Sequence, residues 1–189
     1  ECNTLLERKE GEAAFYCTNE SGCPPIIIGK LIHFVSKKAL DINTLGEKTL
    51  EEFYRKGLVK NVADIFLVNK EQILSLEGYK ELSAHNILNG IEQAKQIPYE
   101  RVLFGLGIRY VGETVAKKLA YAFHDIERLS QANKEELAAV EEIGTRIAES
   151  VCEWFGTAEN RLLIERLKSC GLQFTLDESK LEKMSHVLA

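Results

Sequence analysis

Three of the five cysteines in this 189-residue chain lie close together near its start, at Cys2, Cys17 and Cys23. Grouped thiolates are common ligands of structural zinc, whereas an odd number of cysteines fits poorly with a set of disulfides. The other two, Cys152 and Cys170, fall in or near stretches with helical periodicity and are expected to be inert thiols. The cluster therefore favours a small metal-binding head over a disulfide-bonded one.

A second candidate for chemistry is a glycine that stands directly before a helix-like stretch. In LGIRYVGETVAKKLA, residues 106–120, Gly112 precedes apolar residues at helical spacing. A helix N-terminus exposes about four unpaired backbone N–H groups and the positive end of the helix dipole. Glycine reaches positive φ and has no Cβ, so a bulky anion such as a phosphate can approach these amides. The stretch contains no catalytic residue and predicts a phosphate site made of backbone groups.

The same pattern recurs four times along the chain. Its bend positions are Gly46, Lys80, Gly112 and Gly144, at spacings of 34, 32 and 32 residues. Four residues after each bend comes an apolar residue: Leu50, Ala84, Ala116 and Ala148. A shorter apolar segment precedes every bend and a longer amphipathic helix follows it, so each unit is predicted to be helix, hairpin, helix. Helices of about ten residues are marginal alone, so the four units are expected to stack on one another.

The overall charge argues against simple electrostatic binding of nucleic acid. The formal net charge is −5, whereas nucleic-acid-binding proteins are usually basic. Any phosphate binding must therefore depend on local donors. No apolar stretch approaches the roughly 18 residues of a membrane span, and the amino terminus lacks the layout of a signal peptide. A cytoplasmic location without a membrane partner is the default expectation.

Two of the repeated stretches, LGIRYVGETVA and EEIGTRIAESV, resemble helix-hairpin-helix motifs, which bind the DNA backbone without sequence specificity. Four such motifs behind a cysteine cluster are similar to the C-terminal half of bacterial NAD-dependent DNA ligases, and the resemblance covers essentially the whole chain. It implies a mainly α fold with a small Cys-rich, zinc-finger-like head at 1–25 and four tandem helix-hairpin-helix units at 26–176. Residues 177–189 would be a linker to a BRCT domain outside this sequence. The hairpins are expected near residues 44–47, 78–81, 110–113 and 142–145.

The resemblance also implies a metal. In this family the zinc finger has the pattern C-x2-C-x14-C-x5-C, and Cys2, Cys17 and Cys23 match its last three cysteines. The first would lie three residues before Cys2, outside this sequence. Structural zinc takes four protein ligands. Zinc is therefore expected in the parent protein, and absent or weakly held by these three cysteines alone.

The resemblance assigns DNA contacts to the hairpins. The candidate residues are Gly46, Lys48, Gly78, Lys80, Arg109, Gly112, Thr114, Lys117, Gly144 and Arg146. The third copy, with Gly112 and basic neighbours, is the strongest single candidate. Elsewhere a usual glycine is replaced, by Thr44 in the first copy, Lys80 in the second and Glu142 in the fourth. Glu142 would repel a phosphate, so its side chain is expected to point elsewhere. Gly112→Val is expected to block the phosphate and strain the bend.

The implied function is binding of nicked duplex DNA through backbone phosphates, as the part of a DNA ligase that grips DNA while nicks are sealed in replication and repair. Such a protein would be cytoplasmic and nucleoid-associated when bound. NAD and Mg would be used by domains outside this sequence. No K-x-D-G adenylation motif occurs here, so this stretch is expected to be non-catalytic alone and to bind no small-molecule substrate. Two alternatives stay open: a helix-hairpin-helix repair or recombination module without ligation, and a protein-interaction helical repeat.

Overall fold

A computed structural model describes residues 2–8, 10–177 and 179, so the linker predicted at 177–189 lies outside them except for two residues. The described residues are mainly α-helical, as the sequence predicts. In the head, β1 (Leu6–Glu7) and β2 (Tyr16–Cys17) pair antiparallel. The helices that follow are α1 (Pro24–Val35), α2 (Glu47–Arg55), a 3-10 helix (Val62–Leu67), α3 (Lys70–Leu74), α4 (Glu81–Ala94), α5 (Tyr99–Gly105), α6 (Glu113–Phe123), α7 (Ile126–Gln131), α8 (Lys134–Ala138), α9 (Thr145–Gly156) and α10 (Ala158–Ser169). None of these helices combines the length and apolar character needed to cross a membrane.

Four pairs of contacting helices flank the four bends. The pairs are α1 with α2, α3 with α4, α5 with α6, and α8 with α9. The side chain four residues after each bend is fully buried, and so are other apolar residues at helical spacing from it: Leu50, Ala84, Ala116, Ala148, Phe53, Leu119 and Val151. The helical periodicity therefore identified the buried faces correctly, because apolar residues at spacings of three and four share one side of a helix.

Two glycines allow the segment that joins α1 and α2 to pack closely against α4 and α5. A Cβ added to Gly105 of α5 would lie 2.9 Å from Cδ2 of Leu40. A Cβ added to Gly90 of α4 would lie 2.7 Å from Oγ1 of Thr44. The segment between α1 and α2 thus packs closely against both α4 and α5, and the absence of a side chain at these two positions allows that approach.

Three elements lie outside the repeat pattern: the 3-10 helix, α7 and α10. Helix α10 contacts both α9 and the 3-10 helix, which joins the last repeat to the segment after the first. The chain after α10 then returns to the start of α7, where Ile126 N–H donates to the Phe174 carbonyl and Leu176 N–H donates to the His124 carbonyl. These contacts join the chain after α10 to the segment between the third and fourth repeats.

The head continues directly into α1. Cys23 is the N-cap of this helix, and Pro24 occupies its first turn, where a proline removes no helical hydrogen bond. Cys23 is buried, which places one cysteine of the head against the helical region.

Candidate nucleic-acid interface

The four bend residues occupy the same position in the fold. Gly46, Lys80, Gly112 and Gly144 are the N-cap residues of α2, α4, α6 and α9. Two residues before the bend, the backbone is left-handed in three copies, at Gly78, Tyr110 and Glu142. The first copy departs from this pattern, since its left-handed residue is Asp41. The prediction of positive φ at the bend glycine itself is wrong, because φ at Gly46, Gly112 and Gly144 lies between −73° and −78°.

Among the residues that the structure describes, none requires glycine at these three N-caps. A Cβ added to Gly46, Gly112 or Gly144 would meet no atom within 4 Å. Any residue adopts their extended backbone, so the expectation that Gly112→Val strains the bend is also wrong. What glycine provides here is open space beside the first turn of the following helix.

The first turns of α2, α6 and α9 also lack a side-chain cap. Asn and Asp side chains cap other helices of the chain, where they accept hydrogen bonds from first-turn amides at Asn61, Asn69, Asp125 and Asn133. At the second hairpin, Lys80 N–H donates to Ser83 Oγ at 2.8 Å, and Lys80 gives the first turn of α4 no side-chain cap either. Helix N-termini with uncapped amides and a partial positive charge are suited to binding an oxyanion.

The predicted cations fall into two groups. Lys48, Lys80 and Lys117 are exposed and form no ion pair with any described residue. Thr114, on α6 with Lys117, is also exposed. Nζ of Lys117 lies 5.8 Å from the centroid of the Tyr121 ring. Arg109 and Arg146 are instead both bound to one carboxylate of the head, Glu12.

Glu142, the acidic residue of the fourth hairpin, has a partner of opposite charge. Its carboxylate lies 2.9 Å from Nζ of Lys118 on α6. This pair offsets the negative charge next to Gly144, and it links the fourth hairpin to the helix that follows the third.

The three cysteines of the head come together in space. The Sγ atoms of Cys2, Cys17 and Cys23 lie within 4.8 Å of one another, and those of Cys2 and Cys17 are 3.5 Å apart. Tetrahedral zinc with Zn–S bonds of about 2.3 Å places its sulfurs about 3.8 Å apart, so the trio fits three corners of such a site. Hydrogen bonds from Thr4, Cys17 and Cys23 lower the pKa of Cys2 to about 6. Burial raises the pKa of Cys23. A lowered thiol pKa favours the thiolate that binds a metal.

Glu12 is not among the site residues predicted from the sequence. This residue lies in the loop between β1 and β2, and its carboxylate accepts hydrogen bonds from Arg109, Tyr110 and Arg146. Hydrogen bonds from Tyr110 and Tyr16, with the two arginine charges, lower the pKa of Glu12 to about 2. Apart from Tyr16, these partners lie between 97 and 134 residues away along the chain. No local pattern could have indicated these contacts.

The fold and these sites define a helix-hairpin-helix protein with a Cys-rich, zinc-finger-like head. A family model described as "NAD-dependent DNA ligase C4 zinc finger domain" matches residues 1–24, and one described as "Helix-hairpin-helix motif" matches residues 101–164. Proteins named DNA ligase are 53% identical to the chain in Parabacteroides distasonis, 50% in Christiangramia forsetii and 47% in Phocaeicola vulgatus. Each match covers 100% of this chain and 28% of the relative. The chain is therefore related along its whole length to a region of bacterial NAD-dependent DNA ligases that contains the zinc finger and helix-hairpin-helix motifs, and it spans about a quarter of their length.

Proposed function

We propose that this chain is the DNA-binding region of a DNA ligase and that it binds duplex DNA through backbone phosphates at the N-termini of α2, α6 and α9. The observation that carries the proposal is the set of glycine N-caps, where neither the backbone conformation nor the packing requires glycine. The glycines keep open the path by which a bulky anion reaches the first-turn amides. The name of the relatives, DNA ligase, indicates that this anion is a phosphate of the DNA backbone.

Backbone donors account for binding by a chain of net charge −5. Each uncapped N-terminus offers several N–H groups and part of a positive charge without any lysine or arginine. The exposed cations Lys48 and Lys117 lie in the first or second turn of α2 and α6 and would add to this attraction. Contacts of this kind position a protein on the duplex and carry no base sequence information, which suits an enzyme that acts at nicks of any sequence.

The head fits a zinc ion, with Cys2, Cys17 and Cys23 as three of its ligands. A fourth ligand would complete the C4 site named in the family description. Zinc there would stabilise the fold of a head whose only regular structure, among the described residues, is one pair of two-residue strands. NAD and Mg would serve parts of the ligase outside this chain.

The test is fluorescence anisotropy of the chain with nicked and intact duplexes of several sequences, at salt concentrations from low to physiological. We expect binding that is independent of sequence and that weakens as salt rises. The logarithm of affinity should fall with slope of about 0.9 for each phosphate neutralised by a lysine or arginine. Absence of duplex binding at low salt, or binding that does not change with salt, would contradict the proposal and favour a protein-interaction repeat.

A further inference from the structure

One carboxylate of the head bridges the third and fourth hairpins. Oε1 of Glu12 accepts a hydrogen bond from Nη2 of Arg146 at 2.6 Å and another from the hydroxyl of Tyr110, and Oε2 accepts from Nη2 of Arg109. Arg109 and Tyr110 precede Gly112 in the third hairpin, and Arg146 lies in the first turn of α9 after the fourth. The Glu12 side chain is only 11% exposed. The loop of the head is therefore seated against both hairpins.

The two arginines are enclosed to different degrees. Cζ of Arg109 lies 4.2 Å from the centroid of the Tyr16 ring in the head and 5.1 Å from that of Tyr110. Its side chain is 31% exposed, whereas that of Arg146 is 61% exposed and lies over Tyr110 alone. Arg109 is thus committed to contacts between head and hairpin, while Arg146 keeps one side open to solvent.

The carboxylate is what allows the two guanidinium groups to share the Tyr110 ring. Like charges so close together repel, and a charge between them that accepts hydrogen bonds from both removes this repulsion. One carboxylate and two guanidinium groups leave a net charge of +1 on the cluster. The excess positive charge lies on the exposed side, where Arg146 is located two residues after Gly144.

We propose that Glu12 is a positioning residue that docks the Cys-rich head on the third and fourth hairpins and holds Arg146 in place to meet a DNA phosphate beside Gly144. Arg109 serves the docking of the head. The role of Glu12 in docking is independent of the proposed function, whereas the role given to Arg146 rests on it. Of the two arginines predicted from sequence to contact phosphate, Arg146 therefore keeps that role and Arg109 does not.

The docking is tested without DNA by NMR. In the wild-type chain, the residual dipolar couplings of β1 and β2 should fit the alignment tensor of the helices. In Glu12→Gln they should shrink at least twofold, because Gln lacks the charge that pairs with both arginines, and Arg109→Gln should reproduce this change. Glu10→Gln is the matched control, since it makes the same substitution at an exposed position of the same loop. Couplings in Glu12→Gln that still fit the common tensor would overturn the docking role.

The role of Arg146 is tested by salt titration of duplex binding. Arg146→Gln should lower the slope of log affinity against log salt by about 0.9, the value for one phosphate contact. Arg109→Gln should lower it by less than half as much, and Glu12→Gln should weaken binding about threefold or more by releasing Arg146. Tighter binding by Glu12→Gln would show that this carboxylate competes with phosphate, and would overturn the inference. If the wild-type chain binds no duplex, the proposed function and the role of Arg146 fail together, while the NMR result still decides the docking role.

Discussion

Replacing Gly112 with alanine separates folding from DNA binding at the third hairpin. The added methyl group would meet no atom within 4 Å, and φ at Gly112 is −78°, which alanine adopts readily. Alanine is a poorer N-cap than glycine, but it also reduces the entropy of the unfolded chain by about 0.4–1 kcal/mol. These effects oppose each other, so the free energy of unfolding should change by less than about 1 kcal/mol.

DNA affinity should respond more strongly than stability. The methyl group would lie beside the uncapped amides of α6, in the space through which a phosphate approaches. Loss of one charge-assisted hydrogen bond weakens binding by about 1.5–3 kcal/mol, which is about 10-fold to 100-fold in affinity. The effect should be equal for duplexes of different sequence, because phosphate contacts carry no base information.

The assay combines urea denaturation, for stability, with fluorescence anisotropy on a nicked duplex, for affinity. Gly29→Ala is the matched control, because its methyl group also meets no atom within 4 Å but lies within α1, away from the hairpins. The control should bind DNA like the wild type. A folded Gly112→Ala variant with wild-type affinity at every salt concentration would refute the reasoning that glycine keeps this N-terminus open for phosphate.

Three further predictions concern the head and the packing of the repeats. The pKa of Glu12 lies below its usual 4.5, so the ionised carboxylate should stabilise the fold above about pH 4.5, and this stabilisation should be lost as the pH falls toward about 2. NMR of the Glu12 carboxyl carbon should show titration near 2. A midpoint near 4.5 would contradict the contacts with arginine. Gly105→Ala should lower the free energy of unfolding by about 1–3 kcal/mol in urea denaturation, because its Cβ would lie 2.9 Å from Cδ2 of Leu40, and unchanged stability would contradict this close approach. The three head cysteines alone should hold zinc weakly in competition with a chromophoric chelator, whereas one tightly retained zinc per chain would contradict this expectation.

The repeat of helix pairs could be predicted from sequence because its signals are local. Apolar spacing indicated the buried faces, and the aligned bends identified the N-caps of α2, α4, α6 and α9. The backbone conformation of the bend was harder to predict from the sequence. Tyr110 and Glu142 adopt left-handed backbone although neither is glycine, and no composition rule would select them. They lie at the position that Gly78 occupies in the second copy.

The repeated units, the glycine N-caps and the cysteine trio follow from the amino-acid sequence, since each depends on residues near one another in the chain or on helical periodicity. The contacts of the charged groups, in contrast, depend on the three-dimensional arrangement of the chain. Arg109 and Arg146 looked alike as basic residues near hairpins, but one lies between two tyrosine rings and the other is largely open to solvent. The difference comes from Tyr16 of the head, which lies about a hundred residues earlier in the chain and covers Arg109. Ionic contacts depend on distance in space, which a one-dimensional pattern does not contain.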